Sequence, residues 1–154
     1  MSYCIRLLSP VEAAPAAAEI AAALGAEGFD SQIQAAAADA GWERLELRVP
    51  GEDPLRATRS QRRGEENPVD EEIDAFLDLV LQAEETPATR QVEDALRRAR
   101  QMILLEVPDT FPWGAGRTVA DALVEFLADR TEALIQADGE GFYDREGNLL
   151  LAME

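Results

Sequence analysis

The sequence has no histidine and no lysine, and it contains a single cysteine, Cys4. Without imidazole there is no Ser-His or Cys-His nucleophilic pair, and the usual proton-transfer group at neutral pH is missing. Without lysine there is neither a Schiff base nor the lysine of a phosphate-binding loop. One thiol without imidazoles cannot form a zinc site. These absences favour binding over catalysis, and we predict no metal site, no cofactor and no catalytic residue.

Long apolar runs are also absent. No stretch approaches the roughly 18 apolar residues that a membrane span needs. The alanine-rich segment 13–25 is interrupted by Glu19 and lacks a basic leader, so it does not read as an export signal. With only one cysteine, a reducing environment is expected, and we predict a cytoplasmic protein in which Cys4 is a small core residue.

Positive charge is scarce. The chain has 31 acidic residues against 14 basic ones, all of them arginine, and its net charge is −17. Nucleic acids and anionic lipids are bound through basic faces, so neither nucleic acid nor membrane is an expected partner. The same charge would speed association with a basic protein. Arginine in place of lysine, together with the many alanines, indicates a GC-rich bacterial genome.

Hydrophobic periodicity and capping residues predict the secondary structure. Five helices are expected, starting at Pro10, Ser31, Pro68, Pro87 and Thr118, and the second of them should end at Ala40. Alternating or continuous apolar residues predict strands over 3–8, 43–49 and 102–107, and two more near the C-terminal end. Pro15 is expected to kink the first helix or to make it start afresh.

This order of elements predicts an α+β or α/β fold. We expect a single domain over residues 1–154, in which helices pack on a mixed β-sheet of about four to five strands that ends in a β-hairpin. The stretch 51–66 is polar and has no apolar period. It is therefore expected to form a flexible polar loop.

The segment 138–151, DGEGFYDREGNLLL, combines acidic residues with glycines and raises the question of a calcium loop. Its spacing does not fit an EF-hand, because Phe142 takes a position that needs an oxygen ligand. Asp144 and Gly147 are suited to a tight turn, since aspartate bonds its own backbone and glycine accepts a positive φ. A hairpin is predicted here in preference to a metal site.

A loop at residues 109–118 is the candidate ligand site. It joins a buried strand to a helix, which is where α/β proteins commonly bind ligands. Its glycines and arginine could bind an anion at the helix N-terminus, a carboxylate could act there with Mg²⁺, and its aromatic rings could wall a pocket. The predicted ligand-binding residues are Asp109, Phe111, Trp113, Gly114, Gly116 and Arg117. The alternative is that the aromatic rings cap the core and the glycines only shape the turn.

Two charged groups are further candidates. Asp70, Asp74 and Asp78 share one face of the predicted helix that starts at Pro68, and a basic partner would relieve their mutual repulsion. Four arginines form the second group, which could bind a phosphate or a carboxylate: Arg56, Arg59, Arg62 and Arg63. Solvated faces without a partner are the alternative for both groups.

The leading hypothesis is a non-enzymatic, acidic protein-binding module of the inhibitor, immunity or adaptor type. The alternative is a small-molecule or anion-binding protein, or a carboxylate- and Mg²⁺-dependent enzyme, that uses the 109–118 loop. A homodimer is a third hypothesis, because the apolar residues 149–151 cannot all face one core and could pair edge to edge.

Overall fold

The computed structural model describes residues 3–29, 32–35, 42–51, 53–62, 68–108 and 116–153. In this part of the chain the strands are β1 (Tyr3–Ser9), β2 (Gln32–Ala35), β3 (Arg44–Arg48), β4 (Leu55–Gln61), β5 (Gln101–Val107), β6 (Leu134–Ala137), β7 (Gly141–Tyr143) and β8 (Leu149–Ala152). The helices are α1 (Ala17–Ala26), α2 (Pro68–Gln82), α3 (Pro87–Arg98) and α4 (Gly116–Thr131). None of these helices combines the length and the apolar character needed to cross a bilayer.

All eight strands belong to one open sheet with the order β2-β3-β4-β5-β1-β6-β7-β8. Every pairing between neighbours is antiparallel. The first strand lies near the middle of the sheet, between β5 and β6. The two edges are β2 and β8.

Helices cover both faces of the sheet, two on each. Successive strand residues point to opposite faces, so Leu7 and Ile103 belong to the core under α1 and α4, whereas Leu8 and Met102 belong to the core under α2 and α3. The α1/α4 core extends from β3 to β6. The α2/α3 core involves β1, β5, β6 and β7, and Leu150 and Leu151 of β8 pack against it. Within the described residues, β2 to β4 contribute no side chain to the α2/α3 core.

Arg6 marks the boundary of the α2 and α3 layer. Its guanidinium donates to Glu72 of α2 at 2.7 Å, and to Gln136 and Asp138 at 2.9 Å each. It also lies 5.7 Å from the ring centroid of Phe76. The two carboxylates raise the pKa of Arg6 against the opposing effect of burial. One strand residue thus fixes α2 to the sheet.

Several predictions are confirmed. The α+β class is correct, the apolar stripe that starts at Pro68 is α2, and residues 101–107 form a central strand. Thr86 is the N-cap of α3, because its Oγ1 accepts the Thr89 N–H at 3.0 Å. The C-terminal segment is a hairpin, in which Asp144 accepts the Glu146 and Asn148 N–H groups at 2.9 Å.

The predicted mixed sheet of four to five strands is wrong, since the sheet has eight strands and is antiparallel throughout its described pairings. Two of the missed strands were assigned otherwise. The helix predicted over 31–40 is wrong at 32–35, which are β2 and pair with β3; residues 36–40 lie outside the described part. The loop predicted over 51–66 is wrong at 55–61, which are β4.

The first helix starts afresh after Pro15, which is one of the two outcomes predicted for that proline, and it does not start at Pro10. It begins at Ala17, beyond Pro15, because Ser9 does not act as an N-cap. Ser9 closes β1, and its Oγ accepts the Val11 N–H at 3.1 Å and donates to the Thr131 carbonyl oxygen at 2.6 Å. The side chain therefore links the end of β1 to the end of α4.

Candidate functional site

A cavity of about 350 Å³ opens at one end of the sheet, on the α1/α4 face. Its floor consists of strand residues of the core, including Ile5, Val107 and Ile135, and Ala120 of α4 forms a wall. These four side chains are buried, yet they keep 4–9% of their surface accessible, whereas Leu7 and Ile103 deeper in the same core are at 0%. The cavity is thus an opening into the apolar core, of the size that small ligands occupy.

Polar groups gather at the rim of this cavity. The chain has two tyrosines, and both lie here. The Tyr3 hydroxyl donates to Glu140 Oε2, and the Tyr143 hydroxyl donates to Glu140 Oε1 at 2.8 Å. Asp121 of α4 also lines the cavity. Each oxygen of one carboxylate is therefore oriented by a different tyrosine, and each keeps lone-pair capacity for a further donor.

The backbone around Glu140 is held firmly. Its N–H donates to the Ala137 carbonyl oxygen at 3.1 Å, and its own carbonyl oxygen accepts the Met153 N–H at 3.0 Å. Gly141 follows with a φ of 134°, and a Cβ at that position would lie 2.0 Å from the Leu151 carbonyl oxygen. Only glycine fits this close approach of two strands next to Glu140.

The described lining of the cavity carries carboxylates and no basic side chain. The hydrogen bond to Glu140 raises the pKa of Tyr143, with smaller contributions from burial and from the negative charge of Glu140. Tyr143 is thus a neutral donor at physiological pH. Within the described residues no group of three or more histidine, cysteine or acidic side chains is placed to hold a metal ion. The rim is anionic and the floor is apolar.

The loop predicted as the ligand site falls largely outside the described residues. Asp109, Phe111, Trp113 and Gly114 lie there, so their part in a site stays a prediction. Gly116 and Arg117 open α4, and only their backbone is described. The structure adds that Val107 and Ala120, which flank this loop in the sequence, both line the cavity.

The three aspartates of α2 have different surroundings. Asp70 is paired with Arg62 at 2.5 Å, and its side chain is only 17% exposed. Asp74 and Asp78 are exposed, and neither forms an ion pair with another described residue. Leu81 lies on the same side of the helix and is 61% exposed. This acidic stripe (Asp74, Asp78 and Leu81) combines unpaired carboxylates with an uncovered leucine.

The arginines of β4 do not form one group. Arg56 lies on the sheet face opposite to α1 and α4, where it donates to Glu46 at 3.3 Å, and it borders a shallow depression of about 550 Å³. Arg59 points to the opposite face, lies 5.1 Å from the ring centroid of Trp42 and donates to the Trp42 carbonyl oxygen at 2.9 Å. Burial lowers the pKa of Arg59. Arg62 pairs with Asp70, and Arg63 lies outside the described residues.

The tyrosine–carboxylate cavity could not be found from the sequence. Tyr3 and Glu140 are separated by 137 positions, and no local motif connects them. The one available signal is that the chain has only two tyrosines, one in the first strand and one in the predicted hairpin. Comparison with protein-family models, with curated proteins and with solved structures found no match for this chain.

Proposed function

We propose that the chain is an acidic protein-binding module that captures a basic partner protein, as inhibitor, immunity and adaptor proteins do. The observation that carries the proposal is the acidic stripe of α2, with Asp74 and Asp78 unpaired among the described residues and Leu81 61% exposed. An apolar centre with charged neighbours is the usual composition of a protein interface.

The stripe costs the free chain some stability. Like charges at positions i and i+4 of a helix destabilise it by about 0.2–0.5 kcal/mol. An arginine or lysine from a partner would replace this repulsion by attraction. Covering Leu81 would contribute about 1 kcal/mol through apolar burial. The net charge of −17 adds long-range attraction, which raises the association rate with a basic protein and weakens as salt is added.

The test uses the full chain as bait in a lysate of its source organism, at low ionic strength and again at about 0.5 M salt, where the Debye length is only a few ångströms. Bound proteins are identified by mass spectrometry, and the affinity of the purified candidate is then measured. We expect a basic protein whose capture falls with salt. The double variant D74N/D78N should bind this protein at least about tenfold more weakly, since each lost charge pair at an interface is worth about 1 kcal/mol.

The matched control is E125Q/D129N. Glu125 and Asp129 are also exposed acidic residues at i and i+4, but they lie on α4, on the other side of the sheet. The charge change is the same, so a general effect of net charge would weaken both variants equally. Equal weakening, or no salt-sensitive capture by the unmodified chain, would contradict a binding function for the acidic stripe.

A further inference from the structure

The cavity between β1, β5, β6, β7 and α4 has a chemistry of its own, separate from the acidic stripe of α2. Its floor is made of aliphatic core side chains, and its rim carries the carboxylates of Glu140 and Asp121 beside the rings of Tyr3 and Tyr143. An anionic ligand would meet these carboxylates without a basic side chain among the described lining residues. A purely apolar ligand would leave Glu140, which accepts neutral tyrosine hydroxyls, without a cation among the described lining residues.

We propose that this cavity is a binding site for an organic cation, an ammonium or guanidinium group on an apolar stem. The stem lies on the aliphatic floor formed by Ile5, Val107 and Ile135. The cationic head lies at the rim, where it donates to Glu140 and is attracted by the electron-rich faces of the tyrosine rings. The proposal does not depend on the protein-binding function of α2.

The geometry of Glu140 is preorganised for this task. Both carboxylate oxygens are already oriented by tyrosine hydroxyls, and its backbone is bonded to Ala137 and Met153. A charged group that is fixed before binding loses little conformational entropy when the ligand arrives. The tyrosine hydroxyls also keep the carboxylate from turning away toward solvent.

The volume limits the ligand. About 350 Å³ is near the lower end of ligand cavities, so a stem of roughly four to eight carbon atoms fits and a larger ring system does not. The negative charge of the whole chain adds a favourable potential for any cation that approaches.

Hexylamine is the first probe, and hexan-1-ol and hexanoate are its neutral and anionic counterparts with the same stem. A lysine blocked at both backbone ends is the second cation, so that a free amine can be distinguished from a side chain that a polypeptide presents. Binding is followed on the isotope-labelled full chain by amide chemical shifts. We expect saturable shifts at Ala120, Asp121 and Glu140 with at least one of the two cations, and none of comparable size with the alcohol or the carboxylate.

The substitution Glu140→Gln keeps the size of the side chain but removes its charge, and it replaces one of the two acceptor oxygens by an NH₂ group that a tyrosine hydroxyl must then accept. It should weaken the cation about tenfold, as expected for the loss of one charge-assisted hydrogen bond. Its matched control is Glu146→Gln, which makes the same change in the turn that follows β7, outside the cavity lining. Ala120→Met is a second variant, which narrows the cavity but keeps the charge of Glu140. It should abolish the chemical-shift changes.

Three results would overturn the proposal. The first is shifts that fail to saturate or that spread over the acidic surface, since these would show nonspecific attraction of cations. The second is equal weakening by Glu140→Gln and Glu146→Gln. The third is binding of hexan-1-ol as tight as that of hexylamine, because the rim would then contribute no recognition of charge.

Discussion

Replacement of Gly141 by alanine is the sharpest test of the hairpin that carries the cavity rim. Gly141 has a φ of 134°, and an added Cβ would lie 2.0 Å from the Leu151 carbonyl oxygen and 2.9 Å from Ala152 Cα. Both neighbours are backbone atoms, so no flexible side chain can move aside. β8 must shift by about 1 Å or more to restore a normal contact distance.

The expected loss of stability has two parts. A non-glycine residue in a sparsely populated region of φ costs about 1–3 kcal/mol. Displacement of β8 weakens its pairing with β7, at about 1 kcal/mol for each hydrogen bond lost. We therefore expect Gly141→Ala to lower the free energy of unfolding by about 3–5 kcal/mol. Urea denaturation followed by circular dichroism measures this change.

The control is Gly147→Ala in the same hairpin. Gly147 also has a positive φ, 90°, but a Cβ there meets nothing within 4 Å. Its cost should be the conformational part alone, about 1–2 kcal/mol. The difference between the two variants isolates the close approach of β7 and β8. Equal losses in the two variants would refute the described packing of Gly141.

Three further predictions concern the core, the helix layer and pH. Arg6→Met should lower the free energy of unfolding by about 1–3 kcal/mol, because Glu72 and Asp138 lose their partially buried partner. The control is Arg130→Met, which removes a half-exposed ion pair with Glu19 and should change the free energy of unfolding by less than about 0.5 kcal/mol in the same denaturation assay. Trp42→Phe should cost about 1–3 kcal/mol, since the buried Pro15 carbonyl oxygen loses the indole N–H that lies 2.8 Å away, and a cost near zero would contradict that bond. Burial raises the pKa of Asp144, but hydrogen bonds from Asn148, Glu146 and Gly147 outweigh it, so the pKa is lowered. The contribution of Asp144 to folding stability is therefore present above the unfolded-state pKa and is lost as the pH falls through the folded-state pKa. The stability difference between the unmodified chain and Asp144→Ala should therefore shrink from about pH 5 downward in denaturation series, and a constant difference would argue against the turn.

Local patterns in the sequence were sufficient to predict an element that buries a continuous apolar stripe. α2 shows this, since Ile73, Leu77 and Val80 recur at helical spacing and are all buried. The C-terminal hairpin could also be predicted, because the Asp144 side chain bonds the backbone of the turn and Gly147 accepts the positive φ that the turn needs. These signals come from residues within a few positions of one another.

Two of the missed strands, β4 and β2, depend on distant neighbours. β4 has only Leu55 and Ala57 buried, because its other face contributes no described side chain to the α2/α3 core, and polar residues on that face obscure the alternating pattern. β2 lies at the edge in an alanine-rich segment with high helix propensity, and its pairing with β3 overrides that propensity. The candidate cavity was missed for the same reason, since its rim joins the first strand to the last hairpin.

The position of β1 has a consequence for biosynthesis. Residues 3–9 are translated well before both of their sheet neighbours, residues 101–107 and 134–137. Until then β1 has two unsatisfied edges, and its apolar side chains Ile5, Leu7 and Leu8 must not aggregate. We therefore expect nascent chains that stop short of residue 137 to require chaperone protection, because β1 cannot be paired on both edges before residues 134–137 have been translated.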